Sequence, residues 1–295
     1  MARLLSEPPR RKPLAWNHPG LLFALLGVGM VLIVVTSVPA VLLAWRPGFF
    51  LAEVVALLVP AVVYAVLMRA PWEGAFGLRP RVAGGMVLAV VAAVGAWTAG
   101  TLLTEWIAQA VRISEAQRQA MQEMAERLFM CHTTSQWVWT ILGLSVGAPI
   151  AEEVLFRGVF QRGLERRWGR PRLALVLSAF IFAGFHLEAV QFPVLLLLGL
   201  LFGWLYQRSG SLWPSIVAHA TNNLVAVLVL NKVILSDEAA ETYITSAHVF
   251  AGAMGGVVVI LVLYAVLVGR PRGRGDRPMT VITIPPSSTD GSATL

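Results

Sequence analysis

The chain has 295 residues, of which 57% are hydrophobic and only 13% charged, and its mean hydropathy is +0.72. A soluble domain carries about a quarter charged residues, so this composition excludes a soluble globular protein and points to an integral membrane protein. The formal net charge of +7 does not indicate nucleic-acid binding, because the basic residues flank apolar segments, and the single cysteine, Cys131, excludes an internal disulfide.

Residues 1–18 are polar and basic and read as a disordered tail. Apolar segments follow at about 21–45, 49–69, 83–111, 134–162, 172–187, 189–207, 212–232 and 247–268. About 20 apolar residues cross a bilayer, so the expected fold is all-α and polytopic, with about eight transmembrane helices. The first run is too long for a signal-peptide core and reads as an uncleaved helix. The fourth segment is long and the fifth short. The fifth and sixth nearly merge through "FHLEAVQFP", with Pro193 in the first turn of the sixth, where proline is tolerated.

Before the fourth segment, "ISEAQRQAMQEMAERL" places Ile113, Ala116, Ala120, Met124 and Leu128 at helical spacing, with charges opposite. This predicts an interfacial amphipathic helix over 112–130, which either lies on the membrane surface or acts as a lid over a site. Residues 270–295 form a second polar tail, leaving 19–269 as one membrane domain without an internal repeat. Lys and Arg concentrate in the two tails, around 69–81 and around 162–172, whereas the alternate segments hold only Arg46, Arg112, Arg118, Arg127 and Lys232. This bias places both termini in the cytoplasm.

Ionisable residues within spans are costly, about 2.5–3.5 kcal/mol each on insertion scales, and point to function. Three clusters occur in the second half of the chain: Glu152, Glu153 and Arg157; Phe182 and His186; and His219, Asn222 and Asn223. Glu153 and Arg157 are four apart and meet on one helix face, which suits an ion pair. Glu152, about 100° round the helix, has no local partner, and a carboxylate in that setting suits proton transfer. His219 and Asn223 share a face, and His186 and His219 converge with Glu152 if the three helices pack together. Taken singly, the clusters also read as a structural ion pair, an interfacial histidine and interhelical hydrogen bonding. Together they are expensive as mere glue. Glu53 and Glu105, near segment ends, read as interfacial.

The runs "EEVLFR" (152–157), "FAGFH" (182–186) and "SLWPSIVAHATNN" (211–223) resemble the ordered motifs EExxxR, FxxxH and HxxxN of the CAAX prenyl endopeptidase and bacteriocin-processing family of intramembrane proteases. The resemblance covers about 134–232. It implies a glutamate-dependent membrane endopeptidase in which Glu152 and His186 bind and activate a water. His219 and Asn223 would then steady the oxyanion, with Glu153 and Arg157 holding the geometry and Phe182 and Asn222 in support. It also implies a membrane-embedded or lipidated peptide substrate, such as a leader peptide or a C-terminal sorting tag, and a bacterial inner-membrane location. A metal-free mechanism is expected. If Zn²⁺ is present, Glu152, His186 and His219 are its candidate ligands, although no HExxH motif occurs. Two other classes fit the same residues: a non-catalytic membrane scaffold or immunity protein, and a transporter using Glu152 and the histidines as a proton relay.

Overall fold

The run from 151 to 161, "AEEVLFRGVFQ", is buried at every position although it carries two glutamates, an arginine and a glutamine. A helix buried all round lies at the centre of a bundle, and the remaining helices are arranged about this one. The computed structural model describes residues 15, 17–43, 45–70, 83–235 and 247–268. The predicted tails fall largely (1–18) or wholly (270–295) outside these residues.

Among the described residues the chain forms helices and no strand. In order they are α1 (Pro19–Leu42), α2 (Arg46–Leu67), α3 (Ala83–Ala110), α4 (Glu115–Phe129), α5 (Thr134–Trp168), α6 (Pro171–Phe185), α7 (Phe192–Ser209), α8 (Trp213–Leu230) and α9 (Ala247–Leu267). Seven of them are long and apolar enough to cross a membrane. The eighth predicted span is α6, whose 15 residues reach only about 22 Å at 1.5 Å per residue. The valines that α1 and α9 expose, such as Val31, Val35, Val258 and Val266, form the apolar exterior that lipid requires.

α5 runs six residues beyond the predicted segment. It stops where Gly169 takes a left-handed φ of 63°, and Pro171 then opens α6. Two stretches of α5 widen to π-helix, Ile141–Gly147 and Val154–Gln161, as does Val54–Leu58 in α2. In two cases a proline follows, Pro149 or Pro60, and a proline removes a backbone donor and crowds the preceding turn. The α-helical turn between the two π stretches of α5 is Ala148–Glu153, so both glutamates sit where the helix changes pitch. α2 and α8 pack on this turn, and α6 and α7 pack on the π stretch after it.

α5 and α7 are held in register by two side chains one turn apart. Arg157 Nη2 donates to the Gly199 carbonyl at 3.1 Å, and Gln161 Nε2 donates to the Gly203 carbonyl at 3.2 Å. The glycines allow the approach. A Cβ at Gly199 would lie 3.0 Å from Ala179 Cα, and one at Gly203 would lie 2.4 Å from Leu175 Cδ1.

The amphipathic helix is present as α4. It begins with a capping box, in which Ser114 Oγ accepts from Gln117 N and Gln117 Oε1 accepts from Ser114 N. Of its predicted apolar stripe, Ala116, Ala120 and Met124 are exposed and Leu128 is buried. Its start is tied to α3 by the Arg118–Glu105 ion pair at 2.8 Å. Its end is clamped from two sides. Arg46 donates to the Met130 carbonyl, to Thr140 Oγ1 at 2.8 Å and to Cys131 Sγ at 3.2 Å. Asn231 accepts from Cys131 N at 2.6 Å and donates to the Phe129 carbonyl at 3.1 Å.

Candidate active site

The three motif helices α5, α6 and α8 carry their polar residues to one place. Glu152, Phe182, His186, His219, Asn222 and Asn223 all line a single cavity of about 690 Å³. Glu153 and Arg157 are fully buried and lie behind its wall.

Glu153 is the most heavily partnered group of the site. Its Oε1 accepts from Arg157 Nη1 at 2.8 Å and from His219 Nδ1 at 3.0 Å, and its Oε2 accepts from Ser215 Oγ. Arg157 spends its charge on Glu153, on the Gly199 carbonyl and over the faces of Phe182 and Phe202, at 4.4 and 5.6 Å from the ring centroids. A buried ion pair needs such additional partners to offset its desolvation. The i, i+4 pair expected from the spacing is therefore present, and it also serves the histidine. An ionised Glu153 can only accept, so His219 carries its proton on Nδ1 and presents the lone pair of Nε2. That nitrogen lies 4.0 Å from Glu152 Oε2. The ring is held flat by Phe202, stacked at 4.7 Å and 18°.

Glu152 has the opposite surroundings. It is 8% exposed, and its Oε2 is shielded from solvent without a hydrogen-bond partner among the described residues. The carboxyl is held in an apolar wall and left free on the cavity side.

His186 caps the C-terminus of α6 at the exposed mouth of the cavity. Its Nδ1 lies 2.9 Å from the Phe182 carbonyl, which can only accept, so Nδ1 carries the proton and is turned to the backbone. The next residue, Leu187, takes φ 55°, uncommon for a leucine, and turns the chain sharply out of the helix. The following loop supplies Glu188 and Gln191 to the cavity. Non-helical backbone at membrane depth is tolerated where it lines a polar cavity. No hydrogen bond joins His186 to Glu152; the two face the same space.

Asn223 donates one amide hydrogen to the Leu144 carbonyl at 2.9 Å and accepts from Asn222 Nδ2 at 3.3 Å, which leaves its second N–H for the cavity. Among the described residues, no group of three His, Cys, Asp or Glu side chains is gathered to hold a metal ion. The set Glu152, His186 and His219 is thus not assembled as a ligand triad.

Two residues of the site escaped the sequence reading. Ser215 stands four before His219 on α8, the same spacing that links His219 to Asn223, and that periodicity was its available signal. Glu53 was expected at the interface. Instead it stands eight residues into α2 and lines the cavity with Glu152. Glu105, also expected at the interface, is indeed near the end of α3, paired with Arg118.

A family model described as Rce1-like, type II CAAX prenyl endopeptidase, matches residues 134–225. This segment is of the CAAX prenyl endopeptidase family. The match starts at the first residue of α5 and ends two residues beyond Asn223, so it takes in all three motifs. α1 to α4 and α9 lie outside it. Searches among curated proteins and among solved structures found no match. The matched family is one of proteases, and seven long apolar helices make the chain an integral membrane protein.

Proposed function

We propose that the chain is an intramembrane endopeptidase that hydrolyses a peptide bond in a membrane-embedded or lipidated peptide or protein tail. The observation that carries this reading is the contrast between the two adjacent glutamates. Glu153 has every oxygen occupied, and Glu152 has one oxygen unpartnered in a cavity that also receives His186, His219 and Asn223. An unpartnered carboxylate in a shielded cavity suits a general base.

Glu152 and His186 hold a water, and Glu152 takes its proton as the oxygen attacks the scissile carbonyl. His219 and the free N–H of Asn223 face the oxygen on which charge develops, where preorganised polar groups are worth most. His219 serves as a donor there once its Nε2 is protonated. Glu153, with Arg157 and Ser215, keeps the ring oriented for that task. No metal is required by these steps.

A hydrophobic substrate is supported by a second, apolar cavity of about 390 Å³ between α3, α7 and α9. It shares Ala96, Gly100, Val194 and Leu198 with the polar one. The two cavities therefore adjoin along α3 and α7. The basic flanks favour cytoplasmic termini, the Arg- and Ala-rich sequence favours a bacterial inner membrane, and the family resemblance favours leader peptides or C-terminal sorting tags as substrates.

Comparing the proteomes of wild-type and Glu152→Gln cells tests this reading. A membrane-associated protein should keep a terminal segment in the mutant that the wild type removes. An unchanged proteome and phenotype would instead favour a scaffold, and proton flux in vesicles that the mutant abolishes would favour a transporter.

A further inference from the structure

We propose that the pocket between the first turns of α2 and α5 binds the phosphate of a net-anionic phospholipid headgroup, with Arg46 as its cation. The pocket has a volume of about 440 Å³, and Arg46, Ser135 and Gln136 supply its polar wall between Trp45 and Trp139. Small-molecule sites are of that size, about 300–1,000 Å³. It shares no lining residue with the cavity that holds Glu152.

Arg46 is only 8% exposed. A buried charge needs a partner of opposite sign to offset its desolvation. Arg157 has Glu153 for this, and Arg118 has Glu105. Arg46 forms no ion pair among the described residues. Its contacts are neutral: the Met130 carbonyl, Thr140 Oγ1 and Cys131 Sγ. They occupy three of its five N–H groups and leave two.

The rest of the polar wall is made of donors. Gln136 spends its Oε1 on the backbone N–H groups of His132 and Thr133, at 2.7 and 3.1 Å, so its Nε2 hydrogens remain. Ser135 stands in the first turn of α5, where leading backbone N–H groups lack an intrahelical acceptor. The N-termini of α2 and α5 both add partial positive charge. No Asp or Glu lines the pocket. These groups are complementary to an anion.

The flanking side chains identify the source of that anion. Trp45 is 50% exposed and Trp139 half-buried, and tryptophans gather at headgroup level. Both helices enter the bilayer from this point as spans. Leu43 at the pocket edge, and Leu51, Val55, Val138 and Leu142 further along α2 and α5, are exposed and offer acyl chains an apolar surface. A zwitterionic headgroup brings an ammonium that finds no carboxylate here, so a net-anionic lipid fits best. Its phosphate supplies the counter-charge that Arg46 lacks.

Native mass spectrometry of the full-length protein in detergent tests this, with phosphatidylglycerol and phosphatidylcholine of the same acyl chains as competing probes. The wild type should retain phosphatidylglycerol over phosphatidylcholine by about tenfold or more, as a hydrogen bond to a charged group provides. Gln136→Glu keeps the oxygen that caps α5 and adds a carboxylate to the pocket, so the preference should vanish while the fold is kept. Ser135→Glu, at an exposed position, should act in the same way. Phosphatidylglycerol should raise the unfolding temperature of the wild type but of neither variant. Equal retention of the two lipids by the wild type overturns the proposal, as does a preference that survives in either folded variant. Inorganic phosphate is the control for a free ion. If it displaces the lipid and raises the unfolding temperature as much, the site belongs to a free anion and the lipid assignment falls.

Discussion

His219 Nδ1 lies 3.0 Å from Glu153 Oε1, and the same oxygen is held at 2.8 Å by Arg157. One carboxylate therefore completes a buried ion pair and sets the tautomer of a histidine that faces the cavity. The neighbouring Glu152 shares neither partner as a hydrogen bond. Adjacent and chemically identical, the two glutamates should respond to the same substitution in opposite ways.

Glu153→Gln should destabilise the protein by about 3–5 kcal/mol, because it strands the buried Arg157 charge. Glu152→Gln should leave stability unchanged or raise it, because it removes a carboxyl with an unsatisfied oxygen, while cleavage is lost. Thermal unfolding of both variants in detergent, alongside a cleavage assay, separates the two roles. Equal loss of stability in both would contradict the division.

Ser215→Ala removes the hydroxyl that donates to Glu153 Oε2. A hydrogen bond to a charged group contributes about 1.5–3 kcal/mol, and a loss of that size is expected. Ser215→Thr, which keeps the donor, should recover much of it. Denaturation midpoints of the three proteins check this.

Gly199→Ala and Gly203→Ala should each cost about 1–3 kcal/mol by overpacking. At Gly199 the added Cβ meets backbone, Ala179 Cα at 3.0 Å, whereas at Gly203 it meets side-chain atoms of Leu175 and Gln161. Gly199→Ala should therefore be the less forgiving at equal size. It should also lower activity, since the Gly199 carbonyl holds Arg157. Unfolding temperatures and turnover measured on the same preparations provide the test.

Arg46→Ala and Asn231→Ala should each free the end of α4. Hydrogen exchange should speed up at Phe129–Cys131 in either variant, and the double mutant should add less than the sum of the two, because both side chains clamp the same short segment. Arg46→Lys should not restore the wild-type pattern, since a single ammonium cannot reproduce the forked contacts to Thr140, Cys131 and Met130. Fully additive effects would show that the two clamps act independently.

Chelators should leave cleavage by the purified protein intact, because the proposed water activation uses Glu152 and His186 alone. Activity that is lost to phenanthroline and returned by Zn²⁺ would make Glu152, His186 and His219 ligands instead.

What could be read from the sequence follows the range of the interaction. The Glu153–Arg157 pair, the helix α4 and the proline that opens α7 are local, fixed by helical periodicity and the chemistry of one turn, and they stand where they were expected. The helices themselves were legible from apolar run length, with α6 short as its segment was. Glu53 was misread because its role depends on which face α2 turns towards α5, and a π-helical stretch begins at the very next residue. Position along a segment carries no information about that rotation. Ser215 was legible in principle. It fell outside the reading because a serine among apolar residues costs little and drew no attention beside a histidine.

The brevity of α6 has a consequence for supply. Its 15 residues leave about 8 Å of a roughly 30 Å hydrocarbon layer uncrossed. The helix is followed by the loop carrying Glu188 and Gln191, beside the exposed His186. A bilayer meets a short segment by thinning or by letting polar groups in, so the aqueous phase dips towards His186. Hydrolysis inside a membrane consumes one water per bond cut, and the lipid around the protein holds almost none. The truncated helix gives the site its well.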